Sequence, residues 1–383
     1  MLDAAALLDE NQRDMANKLR GAVIGYGFIS GKGHVPAYLK RGEGTQADVE
    51  IVAVADICEA RRSLAQENLP RARIYSSYMA LLNAEAENLD FVDISTPPCD
   101  HAAIAHAAFD RGLHVLCEKP LTPTLEEAAS LIEHARRAKK VLFPCHNYKH
   151  APVVKAIREI VESGKIGKVR SITLNTFRNT HAKGVTEWKT NWRREKKWSG
   201  GGIAMDHGSH TFYLTFDWMG CYPTAVTAKM ANLEPNRWDT EDGFSAVLTF
   251  PNGSAHAHLT WTAGVRKVIY TVQGERGAIT VDDDDLQLAV MRTTQGPDVA
   301  QGAVTWDVEK RAIASDWMDA SHVGWFNSMF DQFKTAIQKD DFVGKEAQEA
   351  YLCIQLITNA YRSAQEGSRE MSLSSQIPGG LEA

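Results

Sequence analysis

The feature that most constrains this chain is a glycine turn that directly follows a short apolar strand. Ala22-Val23-Ile24 has the composition of a buried strand, and Gly25-Tyr26-Gly27-Phe28-Ile29-Ser30 follows it without a break. The first glycine permits a tight bend, and the second lets a ligand approach the backbone without meeting a Cβ atom. A helix beginning after such a turn directs its N–H groups at the same point, which suits a pyrophosphate. Ser30 stands where a third glycine is usual, so the fingerprint is incomplete.

Size and composition exclude several classes of protein. A chain of 383 residues, 44% hydrophobic and 23% charged, is expected to form two globular domains. The net charge of −6 gives no basic footprint for nucleic acid, and we find no apolar run of membrane-spanning length. Met1–Lys18 lacks the basic start and apolar centre of a secretory signal, so we predict an amphipathic helical extension there.

The cysteines are scattered along the chain. None of the six forms a close pair with another, which favours reduced thiols and a cytoplasmic protein. No set of cysteines and histidines has the spacing of zinc ligands, so we expect no metal site.

Residues 19–144 alternate between strand and helix patterns. The helical patterns include Asp100–Arg111, with Asp100 as a candidate N-cap, and Thr124–Lys140. The candidate strands are short and apolar: 22–24, 51–55, 91–95, 115–117 and 141–143. Such strands alternating with helices predict an α/β domain with a doubly wound parallel sheet, the Rossmann fold.

Residues 145–383 have a different pattern. Pro251-Asn252-Gly253 separates two runs of alternating polarity, which is a strong signal of an antiparallel hairpin. Helical patterns cover Pro152–Ser163, Trp325–Gln338 and Lys345–Gln365. We therefore predict a second, α+β domain around a large, mostly antiparallel open sheet.

Two candidate cofactor sites follow strands of the first domain. Asp56 comes after the second strand, where an acid can accept hydrogen bonds from both ribose hydroxyls of NAD and repel the 2′-phosphate of NADP. A simple surface aspartate is the alternative, and the nearby Arg61 and Arg62 keep NADP open. Ser95-Thr96-Pro97-Pro98, with His101, follows the strand 91–95 and should border the cofactor, although His101 alone would suit a structural role.

Two further motifs carry candidate catalytic groups. Glu118-Lys119-Pro120 follows another parallel strand and places Lys119 where a nicotinamide should lie. Gly200-Gly201-Gly202 precedes a helical pattern that runs to Trp218 and carries Asp206 and His210 four residues apart. A carboxylate beside an imidazole fixes its tautomer and raises its basicity. A capping aspartate and a core histidine would explain this pair equally well.

Taken in order, these motifs resemble the glucose–fructose oxidoreductase/inositol dehydrogenase (Gfo/Idh/MocA) family of NAD(P)-dependent sugar and cyclitol oxidoreductases. The resemblance runs from Leu19 to Arg369 and includes Thr96-Pro97-Pro98-x-x-His101 and Glu162–Gly167 as supporting motifs. It implies that Lys119 touches both the nicotinamide and the substrate hydroxyl. It also implies that Asp206 and His210 form the catalytic pair.

The resemblance has departures and further implications. Asn147-Tyr148-Lys149 stands where many relatives have an aromatic–arginine pair, so the cofactor contact of Asn147 and the substrate contact of Tyr148 are expectations. Further candidates for a carbohydrate pocket lie between the motifs of the two domains: Arg178, His181, Trp192 and Arg193. Relatives commonly pair through the open face of the second sheet. We therefore expect a homodimer or homotetramer, with Val247 and Trp261 on that face.

Elementary acid–base chemistry assigns roles to the candidates. Oxidation of a secondary alcohol needs a base for the hydroxyl proton, and an imidazole with a pKa of about 6.5 is neutral near pH 7. A lysine, with a pKa of about 10.4, would need a shift of roughly three units. We therefore predict His210 as general acid/base and Lys119 as the group that polarises the substrate oxygen. The alternatives are a glycosidase that retains NAD and a sugar-sensing regulator without catalysis.

Overall fold

The computed structural model describes residues 18–43, 47–293, 304–314, 322–378 and 381–382. The helical extension predicted for Met1–Lys18 lies outside these ranges except for Lys18. A six-stranded, all-parallel sheet has the order β3-β2-β1-β4-β5-β6. Its strands are β1 Leu19–Ile24, β2 Val49–Ala55, β3 Arg73–Tyr75, β4 Phe91–Ile94, β5 His114–Cys117 and β6 Leu142–Pro144. The prediction of a Rossmann-type sheet is confirmed.

Helices follow the strands of this sheet. They are α1 Val35–Arg41, α2 Glu59–Asn68, α3 Tyr78–Glu85, α4 Pro98–Phe109 and α5 Leu125–Ala138. Thr124 caps α5, where its hydroxyl accepts from the N–H of Glu127 at 3.3 Å. The prediction of Asp100 as the N-cap of α4 is wrong. That helix starts at Pro98, with Pro97 as N-cap, because proline suits a first helical position that needs no N–H.

The second sheet has nine strands in the order β14-β13-β12-β11-β7-β10-β9-β8-β15. Its strands are β7 Val169–Phe177, β8 Ala225–Ala231, β9 Gly243–Phe250, β10 Gly253–Thr260, β11 Lys267–Gly274, β12 Gly277–Asp282, β13 Asp285–Thr293, β14 Val304–Ala312 and β15 Met371–Ser372. Only the β7–β10 pair among them is parallel, and β9 and β10 form the predicted hairpin. The prediction of a mostly antiparallel sheet is confirmed. A small sheet pairs β16 Gln376–Ile377 with β17 Leu381–Glu382.

The described chain has six further α-helices: α6 Pro152–Glu162, α7 Lys196–Ser199, α8 Ile203–Asp206, α9 Gly208–Met219, α10 Val323–Gln338 and α11 Lys345–Gln365. None of the described helices is both long and apolar enough to cross a bilayer. Val247 on β9 is 40% exposed, as expected. Trp261 is only 2% exposed, so its predicted place on an open face is wrong. It lies just beyond β10, and its ring packs against His181.

Helix α10 lies late in the chain but packs against the first sheet. Phe330 and Phe333 on this helix lie 5.6 Å and 5.5 Å, ring centre to ring centre, from Phe91 of β4. Phe326 packs at 4.4 Å against the ring of His34. The C-terminal part of the chain therefore packs back onto the Rossmann sheet through helix α10. The predicted boundary between residues 144 and 145 stays a prediction.

Candidate active site

The glycine turn has the geometry that a bound pyrophosphate requires. Gly25 has φ +92°, and a Cβ atom there would lie 2.9 Å from the Ser95 backbone. Gly27 faces open space, with no atom within 4 Å of where its Cβ would be. Ser30 closes the turn, because its hydroxyl donates to the carbonyl oxygen of Gly25 at 2.5 Å. The residue that breaks the fingerprint therefore stabilises the bend.

Asp56 lies beside this turn. Its two carboxylate oxygens accept from the backbone N–H groups of Tyr26 and Cys58, both at 2.7 Å. Each oxygen keeps a further lone pair for a ligand hydroxyl. Arg61 donates to the carbonyl oxygens of Tyr26 at 2.7 Å and Gly27 at 3.2 Å. Arg62 donates to the carbonyl oxygens of Asp56 and Ile57, both at 3.0 Å.

The residues around the glycine turn and the loop after β4 fit a dinucleotide. The Thr96 hydroxyl is buried and has no hydrogen-bond partner among the described residues, which leaves it for a ligand. Ser95 donates to Asp93 at 3.0 Å, and Pro97 and Pro98 start α4 beside it. Phe28 is 48% exposed at the tip of the turn, with Ile29 next to it half-buried. The open Gly27 and the unpaired Thr96 hydroxyl are the features that a bound cofactor would use.

The side chains of two predicted cofactor residues are buried. His101 is 0% exposed, and its ring nitrogens lie within 3.1 Å of the carbonyl oxygens of Thr96, Pro120 and Leu121. The prediction that it contacts the cofactor directly is therefore corrected: it braces the loops after β4 and β5. Glu118 also points inward, and one of its oxygens accepts from the N–H of Lys119 at 3.1 Å.

A buried ionic cluster underlies Glu118. The His34 ring lies 2.7 Å from an Asp93 oxygen and 3.0 Å from a Glu118 oxygen, and it is 1% exposed. Burial disfavours the charged ring, but the two carboxylates outweigh it and raise the pKa of His34 to about 10. Cys145 Sγ lies near enough for His34, Glu118 and Cys145 to resemble a metal-ligand set. The geometry shows His34 joined to both carboxylates, which fixes Glu118 beneath Lys119.

The lysine and aspartate predicted to be catalytic are in direct contact. Lys119 Nζ lies 2.9 Å from the carbonyl oxygen of Asp206 and 3.2 Å from its carboxylate. The Arg193 guanidinium lies 3.3 Å from the same carboxylate oxygen. Burial opposes ionisation of Asp206, but the charges of Lys119 and Arg193 keep its pKa well below the usual range. The carboxylate is thus held as an anion between two cations.

The predicted single helix from the glycines to Trp218 is wrong, because it is broken at His207 into α8 and α9. The partner of His210 is Tyr213, whose Oη lies 2.5 Å from His210 Nδ1, rather than Asp206. The Tyr148 ring stacks on the His210 ring at 3.8 Å between centres and 13° between planes. Burial, then the charges of Lys119 and His207, lower the pKa of His210 well below 6.5. The imidazole is therefore neutral near pH 7.

Tyr148 is positioned by a second buried network. Its N–H donates to Tyr213 Oη at 3.3 Å, and the same turn, Asn147–His150, carries Lys149. Lys149 is 4% exposed and lies 2.7 Å from a Glu346 oxygen, with Glu349 as a further partner. Asn147 is buried in this turn. The lysine that departs from the expected pattern thus fixes the turn to α11.

The remaining substrate candidates lie around Asp206. Arg193 stacks on the ring of Trp192 at 4.2 Å and reaches Asp206, so these two residues border the candidate catalytic groups. Arg178 is buried at the end of β7. His181 lies against Asn191, 2.9 Å from its side-chain oxygen. Tyr213 and His207 were not predicted, although Tyr213 stands three residues after His210, a helical neighbour that the spacing alone would have indicated.

Comparison with known proteins decides the family. A profile described as the NAD-binding Rossmann fold of the oxidoreductase family (Gfo/Idh/MocA) matches residues 19–146. A second profile, the C-terminal alpha/beta domain of the same family, matches residues 158–373. The chain belongs to the Gfo/Idh/MocA oxidoreductase family. The recognition made from the motifs is confirmed, and the chain is an oxidoreductase with a domain of the NAD-binding type.

Its relatives include named sugar dehydrogenases. The chain is 26% identical over 347 residues to a D-xylose 1-dehydrogenase (NADP(+)) of Haloferax volcanii, with 90% of this chain and 97% of the relative covered. It is also 26% identical over 376 residues to a D-glucoside 3-dehydrogenase of Escherichia coli, covering 92% and 97%. A solved levoglucosan dehydrogenase in complex with NADH and L-sorbose shares the fold, with a TM-score of 0.77, 21% identity, and 93% and 98% coverage.

Proposed function

We propose that this protein transfers a hydride between NAD and a secondary alcohol or ketone of a sugar, sugar derivative or cyclitol. The contact between Lys119 and Asp206 carries the proposal, because it joins the loop after β5 to the helix beside His210. An ammonium group, a carboxylate and a neutral imidazole then lie near one another, beside the loop that follows β5. The relatives named for xylose, glucosides and levoglucosan support a carbohydrate substrate.

Residues of the glycine turn, Asp56 and the Ser95–Pro98 loop would hold the dinucleotide, which supplies the hydride acceptor when bound. Asp56 favours NAD, because an anion repels a 2′-phosphate. The guanidinium groups of Arg61 and Arg62 both donate to backbone carbonyls, which leaves them poorly placed to receive that phosphate. The NADP-named relative keeps NADP as the alternative.

His210 is the proposed general base. Tyr213 Oη lies at its Nδ1, so Nε2 is the nitrogen left for the substrate hydroxyl. Tyr213 Oη also accepts from the N–H of Tyr148. In the proposed tautomer, His210 carries its proton on Nδ1 and donates it to the same oxygen, so Nε2 is unprotonated and can accept the proton of the substrate. Lys119 donates a hydrogen bond to the substrate oxygen and stabilises the charge that grows there as the proton leaves. Asp206 holds Lys119 in position, and the reduction uses the same groups in reverse.

The open face of the second sheet is the proposed contact between subunits. Val247 and its neighbours are exposed there, which would suit a second copy of the chain. Light scattering of the protein against a Val247→Glu variant tests this, since a charge placed in the contact should shift the mass towards the monomer. An unchanged mass would contradict it.

An absorbance screen tests the proposed function. Levoglucosan, D-xylose, methyl D-glucoside, inositol and D-glucuronate are each offered with NAD⁺ and NADP⁺, and the formation of NADH or NADPH is followed. We expect turnover of at least one compound, with NAD⁺ preferred. Cleavage of the glycoside without a net change in NADH would instead indicate a glycosidase. Tight NADH binding without turnover of any compound would indicate a regulator.

A further inference from the structure

Arg178 is a buried cation whose hydrogen bonds with the protein use only part of its guanidinium. It follows the last residue of β7 and is 8% exposed. Its Nη1 donates to the carbonyl oxygens of Phe177 at 2.9 Å and Lys267 at 3.4 Å. A guanidinium has five N–H donors, and those on Nε and Nη2 have no partner among the described residues. No described carboxylate lies within ion-pair distance of it. Such a cation is costly to bury unless a ligand compensates it.

The backbone places Arg178 beside the catalytic groups. Its N–H donates to the carbonyl oxygen of Thr260 at 2.8 Å, and the next residue, Trp261, donates to that of Asp242 at 2.8 Å. The neighbouring Glu241 carbonyl accepts from Ile203 at 3.2 Å, which is the first residue of the short helix ending at Asp206. The end of β7 that carries Arg178 and the short helix α8 that ends at Asp206 are therefore linked through these backbone hydrogen bonds at one end of the second sheet.

The charges of this region change the pKa of one imidazole, that of His207. Burial is the main reason that the pKa of His207 falls to about 3, with Asp206 opposing it. The charges of Arg178, Lys119 and Arg193 lower that pKa further. The three cations therefore lie near the His207 ring, which is 6.2 Å from the His210 ring between centres.

The cations in this region outnumber the anions. Lys119 and Arg193 share a single carboxylate, that of Asp206, and the nearby imidazoles of His207 and His210 are neutral. Arg178 adds a further positive charge. The region is thus electropositive although the whole chain has a net charge of −6. A cleft with this charge concentrates anionic ligands and selects for them.

We propose that the substrate is an anionic sugar, whose carboxylate is held by the N–H groups on Nε and Nη2, the free edge of the Arg178 guanidinium. The inference rests on the proposed function, since it concerns the substrate of the same site. A planar guanidinium fork matches a carboxylate in a bidentate pair, as in an aldonate or a uronate, and a sugar phosphate offers the same chemistry. The stacked Tyr148 and His210 rings then bound the ring of the sugar on the side of the proton transfer.

Calorimetric titration of the NADH-loaded protein tests the proposal. The probes are D-glucuronate against D-glucose, D-galacturonate against D-galactose, and D-glucose 6-phosphate. We expect at least one acid to bind ten- to hundred-fold more tightly than its neutral partner, the range for hydrogen bonds to a charged group. Added salt should weaken the binding of the acid and leave that of the neutral sugar unchanged.

Two variants and a control locate the effect. Arg178→Gln should abolish the preference for the acid while leaving NADH affinity unchanged, and Arg178→Lys should keep part of it. Arg170→Gln is the matched control, since Arg170 lies at the far end of the same strand in a surface pair with Glu275. It should retain the full preference. Loss of the phosphate's binding with Arg178→Gln would identify a phosphate as the anion source.

The proposal is overturned if neither acids nor the phosphate bind more tightly than neutral sugars, or if Arg178→Gln weakens both kinds equally. The latter result would mean that Arg178 only braces the ends of the strands. The two proposals fail separately. Acid binding without NADH formation would contradict the oxidoreductase and leave the anion site standing. Turnover of neutral sugars without a preference for acids would support the oxidoreductase and contradict the anion site.

Discussion

Replacing the buried imidazole of His34 should change how the stability of the protein depends on pH. The ring is 1% exposed between Asp93 and Glu118, and its pKa is about 10 in the folded chain against about 6.5 when unfolded. A group whose pKa is raised by folding stabilises the fold fully below the unfolded value. That stabilisation is lost as the pH rises towards the folded value. The slope is about 1.4 kcal/mol for each pH unit inside this window.

From about pH 7 to about pH 8.5, the free energy of unfolding of the unmodified protein should therefore lose about 2 kcal/mol through His34. Urea unfolding at the two pH values measures it, with His34→Gln compared to the unmodified chain. The variant should lack this loss, while contributions from buried thiols such as Cys117, whose pKa burial raises, cancel in the comparison. Asp93→Asn removes one of the two carboxylates and should give an intermediate loss.

His101→Gln is the matched control. His101 is equally buried, but burial lowers its pKa, so it is neutral in both states across this range and should show no pH-dependent difference. If His34→Gln and the unmodified protein lose the same free energy between the two pH values, the imidazole is not charged. The account of how Glu118 is held beneath Lys119 would then be refuted.

Three more changes have expected outcomes. Tyr213→Phe removes the partner of His210 Nδ1 and should lower kcat/KM about tenfold without changing NADH affinity, and an unaltered pH–rate profile would contradict the tautomer assignment. Asp56→Asn should reduce the NADH-over-NADPH affinity ratio at least about tenfold in fluorescence titrations, and an unchanged ratio would remove its role. Phe333→Ala should lower the free energy of unfolding in urea by about 3–5 kcal/mol, whereas Leu233→Ala, at an exposed position, should lower it by about 0.5 kcal/mol or less. Equal losses would refute the packing of α10.

Local signals were sufficient for the first domain and the family. The apolar strands, the glycine turn and the Asn-Gly hairpin depend on residues close in the chain, so periodicity and turn chemistry predict them. The motifs after β4 and β5 were also located correctly, because parallel strands bring their carboxyl ends to one edge of a sheet.

The errors come from contacts that are distant in the chain. The helix breaks at His207, where Lys119 Nζ donates a hydrogen bond to the carbonyl oxygen of Asp206. At the start of α8, the Glu241 carboxylate accepts from the N–H groups of Gly202 and Ala204. No local pattern reports either contact. His101 and Trp261 were misplaced for the same reason, since each is buried by segments remote in sequence.

The ion pairs of Asp206 also depend on tertiary contacts. An i, i+4 relation with His210 is a reasonable expectation for a continuous helix. Two cations, one from each domain, outcompete it for the carboxylate. Helix α10 shows the same limit, because nothing in its own sequence tells that its aromatic residues pack on the first sheet.

The measurement that tests the central claim most directly compares His210→Ala with the unmodified protein on a substrate found in the absorbance screen. The account predicts that kcat for NADH formation falls by about 10²–10⁴-fold while NADH affinity stays within about twofold. His134→Ala, a histidine of helix α5 that pairs with the exposed Asp110 away from the candidate site, should leave both unchanged. Turnover by His210→Ala at the unmodified rate would contradict its role as the acid–base group.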